Sequence, residues 1–179
     1  EALVPDMESI ARALSARARK AHTAVKLASR FTASEEVAEA KDSLLTPLPM
    51  APRSRDRQVM SLLPSAPAPP RGATNKPVTV ARRYRIVPKS LNQTSFFDYA
   101  REGGRLVLVL NPEHPFYRVV YKPLLESDNE RDTQVRVQLD LLLLAAARTE
   151  ALLEEDASIA VAERFRSDWS DVLATFLER

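Results

Sequence analysis

Apolar residues at helical spacing predict a long helix over about residues 130–155. The predicted inward stripe consists of Val135, Leu139, Leu142, Ala146, Thr149 and Leu153, at alternating steps of four and three. Between residues 141 and 147 the helix is apolar on every side, so its neighbours must enclose it. We therefore expect Leu142 and Ala146 to be deeply buried and Arg148 to lie on the surface.

A second apolar stripe at the same spacing predicts a last helix over residues 157–178. The stripe consists of Ala162, Phe165, Trp169, Val172 and Phe176. Because the opposite side of this helix is polar, we favour packing of the stripe against the long helix. The alternative is that Trp169 is an exposed contact point for a partner.

In the middle of the chain the apolar period changes to two, which predicts strands. One strand runs to Val87 from about Val78. Two further β-prone runs, at 96–100 and 105–110, flank Glu102-Gly103-Gly104 and predict a hairpin. Leu106 to Leu110 is apolar on both faces, which is typical of a central strand.

The first part of the chain has a different character. A helix of about residues 5–31 with a seam of alanines is expected, then a short helix at 34–45 for which Ser34 is a suitable cap. Prolines crowd residues 46–77 and favour an extended linker, in which only 58–63 is apolar enough to dock.

These patterns predict a helix-rich α+β chain, with a small, mostly antiparallel sheet packed on the C-terminal helices. The expected parts are a basic N-terminal helical segment at 1–45, a proline-rich linker at 46–77 and an α+β domain at 78–179. The chain opens on Glu1 rather than on methionine, so we expect it to be part of a longer protein.

Charge divides the chain into two halves. Residues 1–90 contain 16 Lys and Arg against 8 Asp and Glu, whereas residues 91–179 contain 10 against 16. The two halves either attract each other or the basic half faces an acidic partner such as nucleic acid. The candidate phosphate contacts are Arg12, Arg19, Lys26, Arg83 and Arg85; the alternative is that they form a solvated basic surface.

Several classes of active site are excluded by composition. The chain has no cysteine, which excludes disulfides, thiolate metal sites and cysteine nucleophiles and favours the reducing cytoplasm. Its longest apolar run is far shorter than the roughly 20 residues that a membrane helix needs. We found no Walker loop, dinucleotide fingerprint or metalloprotease motif, and we expect no catalytic, cofactor or metal site in this chain.

The end of the central strand predicts a structural corner, formed by Asn111, His114, Pro115 and Phe116. Pro112 and Pro115 stop the strand, and a helix is expected from about Pro115 until Pro123 disturbs it. His114 has no Ser, Cys or second His nearby. We therefore expect it to hydrogen-bond the backbone rather than to transfer protons.

The run from Gly104 to Tyr117, with the Leu139–Ala147 block, resembles the C-terminal part of bacterial and phage ATPases of the GHKL superfamily (gyrase, Hsp90, histidine kinase and MutL type). The resemblance covers about residues 84–153 and implies ATP-driven conformational work in a parent protein, often with dimerisation. It implies no active-site residue here, because the nucleotide-cradling glycines are missing: the only glycines are Gly72, Gly103 and Gly104.

We therefore expect a non-catalytic interaction or transducer portion of a larger ATPase-like protein that mediates self-association or partner binding. ATP would belong to the parent protein only. The alternative is a nucleic-acid-binding module that uses the basic N-terminal half. A protein partner or a homo-oligomer is expected, nucleic acid is the second candidate partner, and no membrane partner is expected.

Overall fold

The computed structural model describes residues 30–63, 82–91 and 94–178. The chain divides into two compact units, Glu1–Thr32 and Ala33–Arg179. Of the first unit only residues 30–32 are described, and they are helical. The greater part of the helix predicted at 5–31, with Arg12, Arg19 and Lys26, lies outside the described residues, as do Val78 and Val80. The account below concerns the second unit.

The described part of the second unit contains five α-helices and three strands, which confirms the helix-rich α+β fold class. In chain order they are α1 (residues 33–42), α2 (Ser54–Leu62), β1 (Tyr84–Pro88), β2 (Phe97–Glu102), β3 (Arg105–Leu110), α3 (Lys122–Glu126), α4 (Glu130–Ala151) and α5 (Asp156–Leu177). The last two match the helices predicted at 130–155 and 157–178 to within a few residues.

The sheet has the strand order β1-β3-β2, so β3 is central as predicted. Gly103 and Gly104 have φ values of 55° and 77° and join β2 to β3 in the predicted antiparallel hairpin. Strand β1 instead pairs parallel with β3, with Tyr84 opposite Leu106. The sheet is therefore mixed rather than mostly antiparallel, because an apolar period of two predicts the faces of a strand but not its direction.

Helix α2 lies inside the segment predicted as a linker. Its Val59 and the following Leu63 are buried against β2 and β3, where Ala100, Val107 and Val109 complete the cluster. The segment predicted to dock, 58–63, therefore belongs to the packed body. Residues 64–77, the rest of the predicted linker, lie outside the described residues.

The helical segment after the corner continues through Pro123 instead of stopping there. Tyr117–Tyr121 forms a π-helical turn, and the Lys122 N–H donates to the carbonyl of Tyr117. Pro123 then sits in the first turn of α3, where its missing N–H costs no hydrogen bond. The wide turn makes room for the proline ring without ending the helix.

Helix α4 is rotated relative to the prediction. Leu142 is 60% exposed and Ala146 only half-buried, whereas Arg148 is 8% exposed, so all three expectations are wrong. The observed inward face consists of Arg136, Asp140, Leu143, Leu144, Ala147, Arg148 and Ala151. It lies one residue, or about 100°, from the predicted stripe.

Buried polar contacts explain this rotation. Asp140 is fully buried and accepts hydrogen bonds from Tyr121, from Ser34 Oγ at 2.5 Å and from Arg136 Nη1 at 3.0 Å. Ser34 thus bonds across to α4 instead of capping its own helix. Arg148 lies 3.3 Å from Asp42 and donates to the carbonyl of Thr46 at 2.6 Å. A block that is apolar on every side leaves the choice of face to such charged neighbours.

Candidate interaction surface

Helix α5 turns its apolar stripe toward solvent, contrary to the prediction that the stripe packs against α4. Phe165 is 66% exposed and Phe176 is 79% exposed. The exposed apolar positions of this surface, which we call the α5 stripe, are Val161, Phe165, Trp169, Val172 and Phe176. An ordinary surface helix has its apolar side inward, so the amphipathicity of α5 is reversed.

The buried side of α5 is polar. Its two buried residues are Arg166 and Ser170. Ser170 Oγ accepts a hydrogen bond from the N–H of Phe96 at 3.1 Å and donates to the Arg166 carbonyl at 2.7 Å. The Ser170 carbonyl also lies 3.1 Å from His114 Nε2. Hydrogen bonds of Ser170 therefore connect the helix to the sheet layer and to the corner.

Arg166 determines which face of α5 points inward. Its guanidinium pairs with Glu150 of α4 and lies 3.4 Å from Asp98 of β2. Burial raises the pKa of Glu150, while the positive charges of Arg166 and Arg55 oppose that rise. Consecutive helix residues point about 100° apart, so docking Arg166 inward turns Phe165 toward water.

Trp169 lies at the edge of the stripe and touches the sheet layer. Its ring makes edge-to-face contacts with Phe96 at 4.9 Å and with Phe97 at 6.3 Å, and 36% of the residue stays exposed. Trp169 therefore packs on the aromatic residues of the sheet layer, whereas the sequence favoured its packing against α4. These contacts hold the indole in one orientation while leaving part of it accessible.

An open apolar groove of about 530 Å³ adjoins the N-terminal end of the stripe. It is lined by Leu153, Ala157, Ser158, Val161, Ala162 and Phe165. Most of the lining side chains are small or aliphatic, and Phe165 supplies the only ring among them. The stripe and the groove form one continuous apolar surface at residues 153–176.

The predicted corner residues are brought together and buried. Asn111 donates its amide to the Ser95 carbonyl at 3.0 Å, and Pro115 and Phe116 are both buried. His114 Nδ1 accepts from the N–H of Phe116 at 3.1 Å, so Nε2 is the protonated nitrogen that donates to Ser170. Burial lowers the pKa of His114, which keeps the ring neutral. Both ring nitrogens hydrogen-bond the backbone, which is the role expected of this histidine.

The candidate phosphate contacts do not form a common site in the described residues. Arg83 Nη1 lies 2.6 Å from Asp42, so its charge is compensated within the protein. Arg85 is exposed on β1. Arg12, Arg19 and Lys26 lie outside the described residues.

A polar cavity of about 550 Å³ lies between α2, β2 and α5 and has Arg55, Asp98, Glu163 and Arg166 in its wall. Arg55 pairs with Asp98 and lies 3.0 Å from Glu163, so the arginines have no surplus charge for an anion. In residues 30–63, 82–91 and 94–178 there is no cluster of three potential metal ligands. No described helix is long and apolar enough to cross a membrane.

Sequence reasoning missed Arg166 and Ser170. The available signal was their spacing of four on the polar side of α5, opposite an unusually aromatic stripe. That pattern alone is also typical of a solvent-facing polar side. Only the position of Glu150 and Asp98 in the fold shows that the polar side of α5 is buried rather than exposed to solvent.

Comparison with protein-family models, with curated proteins and with solved structures found no match for this chain.

Proposed function

We propose that this chain is a non-catalytic interaction portion of a larger ATPase-like protein and mediates self-association or partner binding through the α5 stripe. The reversed amphipathicity of α5 is the observation on which this proposal rests. An apolar surface of this size on one helix is typical of a protein contact site. The absence of cysteine favours the cytoplasm as its compartment.

Covering the stripe would contribute a favourable free energy to binding. At the observed exposures the rings of Phe165, Trp169 and Phe176 present roughly 350 Å², taking about 200 Å² per aromatic side chain. At about 25 cal/mol per Å² their burial contributes about 9 kcal/mol before the entropy of association is subtracted. Rigid aromatic rings are also the side chains that most often dominate protein interfaces.

The corner supports the link to an ATPase-like parent. It contains the Asn-x-x-His-Pro-Phe run on which the resemblance to GHKL ATPases rests, and His114 of this run bonds directly to α5 through Ser170. A movement of the corner in the parent protein would therefore be transmitted to the helix that presents the stripe. We assign no nucleotide site to this chain, because it has only three glycines.

Photo-crosslinking in the native host tests this function. A photoreactive amino acid at position 172, within the stripe, is expected to give protein adducts in the full-length parent protein. The same group at Glu102, the exposed last residue of β2, is the matched control. Equal adduct yields from the two positions would contradict an interaction role for α5.

Calorimetry tests the proposal that nucleotide binding belongs to other parts of the parent protein and not to this chain. The isolated chain is expected to show no saturable binding of ATP. A micromolar dissociation constant would overturn the assignment of nucleotide binding to other parts of the parent protein.

A further inference from the structure

We propose that the α5 stripe binds the α5 stripe of a second copy of this chain in antiparallel orientation, about a two-fold axis near residues 168 and 169. This inference rests on the proposed interaction role of α5 and names its partner. It is drawn from the spacing of the stripe, the adjacent groove, the flanking charges and the exposed area.

Four of the five positions of the stripe are spaced symmetrically. Val161 and Phe165 are four residues apart, Phe165 and Val172 seven, and Val172 and Phe176 four. Read from the C-terminal end, these four positions are again separated by four, seven and four residues. An antiparallel pair therefore places Val161 against Phe176 of the second copy and Phe165 against Val172, with the two Trp169 rings near the axis. Such self-complementarity is the requirement for an isologous two-fold interface.

The groove and the most exposed ring are complementary. Phe176 is 79% exposed at the C-terminal end of the stripe, and the groove of about 530 Å³ is lined in part by Val161 at the other end. Antiparallel pairing puts each Phe176 into the groove of the other copy, and two-fold symmetry makes this contact twice. Parallel pairing would place the two Phe176 rings against each other and leave both grooves empty.

The charges beside the stripe also favour the antiparallel orientation. Arg164 and Asp171 lie on the same exposed flank, and reversal of the helix places Asp171 of the second copy opposite position 166, two residues from Arg164 and about 3 Å from it along the axis. The two Asp168 carboxylates approach near the axis and repel each other, and this repulsion is reduced by Arg164 of the same helix, which lies 3.8 Å from each carboxylate. A parallel pair would instead align like charges along the whole flank.

The exposed area is adequate for a weak to moderate dimer. The three rings and the two valines of both copies together would bury about 1,000 Å², the lower limit for a specific interface. We therefore expect a dissociation constant in the micromolar range, in which dimer and monomer are both measurable.

Sedimentation velocity over a concentration series tests the dimer. The unmodified chain is expected to sediment as a dimer at tens of micromolar, and Phe176→Asp is expected to weaken the dimer at least about 30-fold. Leu142→Asp is the matched control, because it also places a carboxylate at an exposed leucine but on α4. Circular dichroism is expected to show both variants folded.

Cysteine crosslinking tests the orientation on a chain that has no cysteine of its own. Asp168→Cys, near the axis, is expected to form a disulfide-linked dimer. Val161→Cys is not, because antiparallel pairing separates the two 161 positions by about 22 Å along the helices. Equal crosslinking of both variants would show a parallel pair and overturn the proposal.

The remaining outcomes separate this proposal from the function on which it rests. If the chain is a monomer at 100 µM and position 172 still crosslinks to a different protein, a second copy is not the partner of the stripe. The interaction role of α5 would be preserved. A dimer that Phe176→Asp leaves intact would place self-association on another surface. A monomer with no adducts at position 172 would overturn both.

Discussion

Two neighbouring leucines of α4 allow a direct test of the rotation of this helix. Leu143 is 2% exposed and Leu142 is 60% exposed, although both lie in the same apolar block. We predict that Leu143→Ala destabilises the protein strongly and that Leu142→Ala does so only slightly. The two substitutions remove the same atoms from the same helix, so helix propensity is equal in both.

The expected difference follows from burial. Truncation of a buried leucine removes its transfer free energy and leaves a cavity, which together cost about 2–5 kcal/mol. At the exposed position most of the side chain is in water already, and a change within about 0.5 kcal/mol is expected. For a chain of this length about 1 kcal/mol shifts the melting temperature by roughly 2–4 °C. Leu143→Ala should therefore melt about 4–20 °C lower.

Urea and thermal denaturation, followed by circular dichroism, measure both variants against the unmodified chain. The slope of unfolding free energy against urea should stay constant, so that the midpoints report stability directly. The reasoning is refuted if the two variants have the same midpoint, or if Leu142→Ala is the less stable. Either result would restore the stripe predicted from spacing alone.

Two further predictions concern buried polar groups. Asp140→Asn should cost about 3–5 kcal/mol in urea denaturation, because it leaves the buried Arg136 without its carboxylate; Glu126→Gln, in an exposed ion pair, should cost less than about 1 kcal/mol. His114 is neutral in the folded state and its pKa lies below the ordinary value of 6.5, so the unfolded chain binds more protons at lower pH. Its contribution to stability is therefore complete above about pH 6.5 and is lost as the pH falls through the folded-state pKa. A series of denaturation curves from pH 7.5 to 5 should show this loss, and an equal pH dependence in His114→Gln would contradict it.

The sequence by itself determined the elements whose signals are local. Gly103 and Gly104 supply the positive φ values that the two-residue hairpin requires, and the run 106–110, apolar on both faces, predicted the central strand. Helices α4 and α5 were also predictable in extent from their spacing and their flanking polar residues. Each of these features depends on residues that are neighbours in the chain.

Only the tertiary structure decided which faces the two long helices bury. Arg166 turns inward because Asp98 and Glu150 converge on it, and α4 is rotated by the contacts of Asp140 and Arg148. These partners are up to 106 residues apart, as with Ser34 and Asp140. A charged side chain is buried only where a partner compensates its lost hydration. The position of that partner is a property of the fold, so apolar spacing alone assigned both faces incorrectly and left exposure of the α5 stripe as the less favoured alternative.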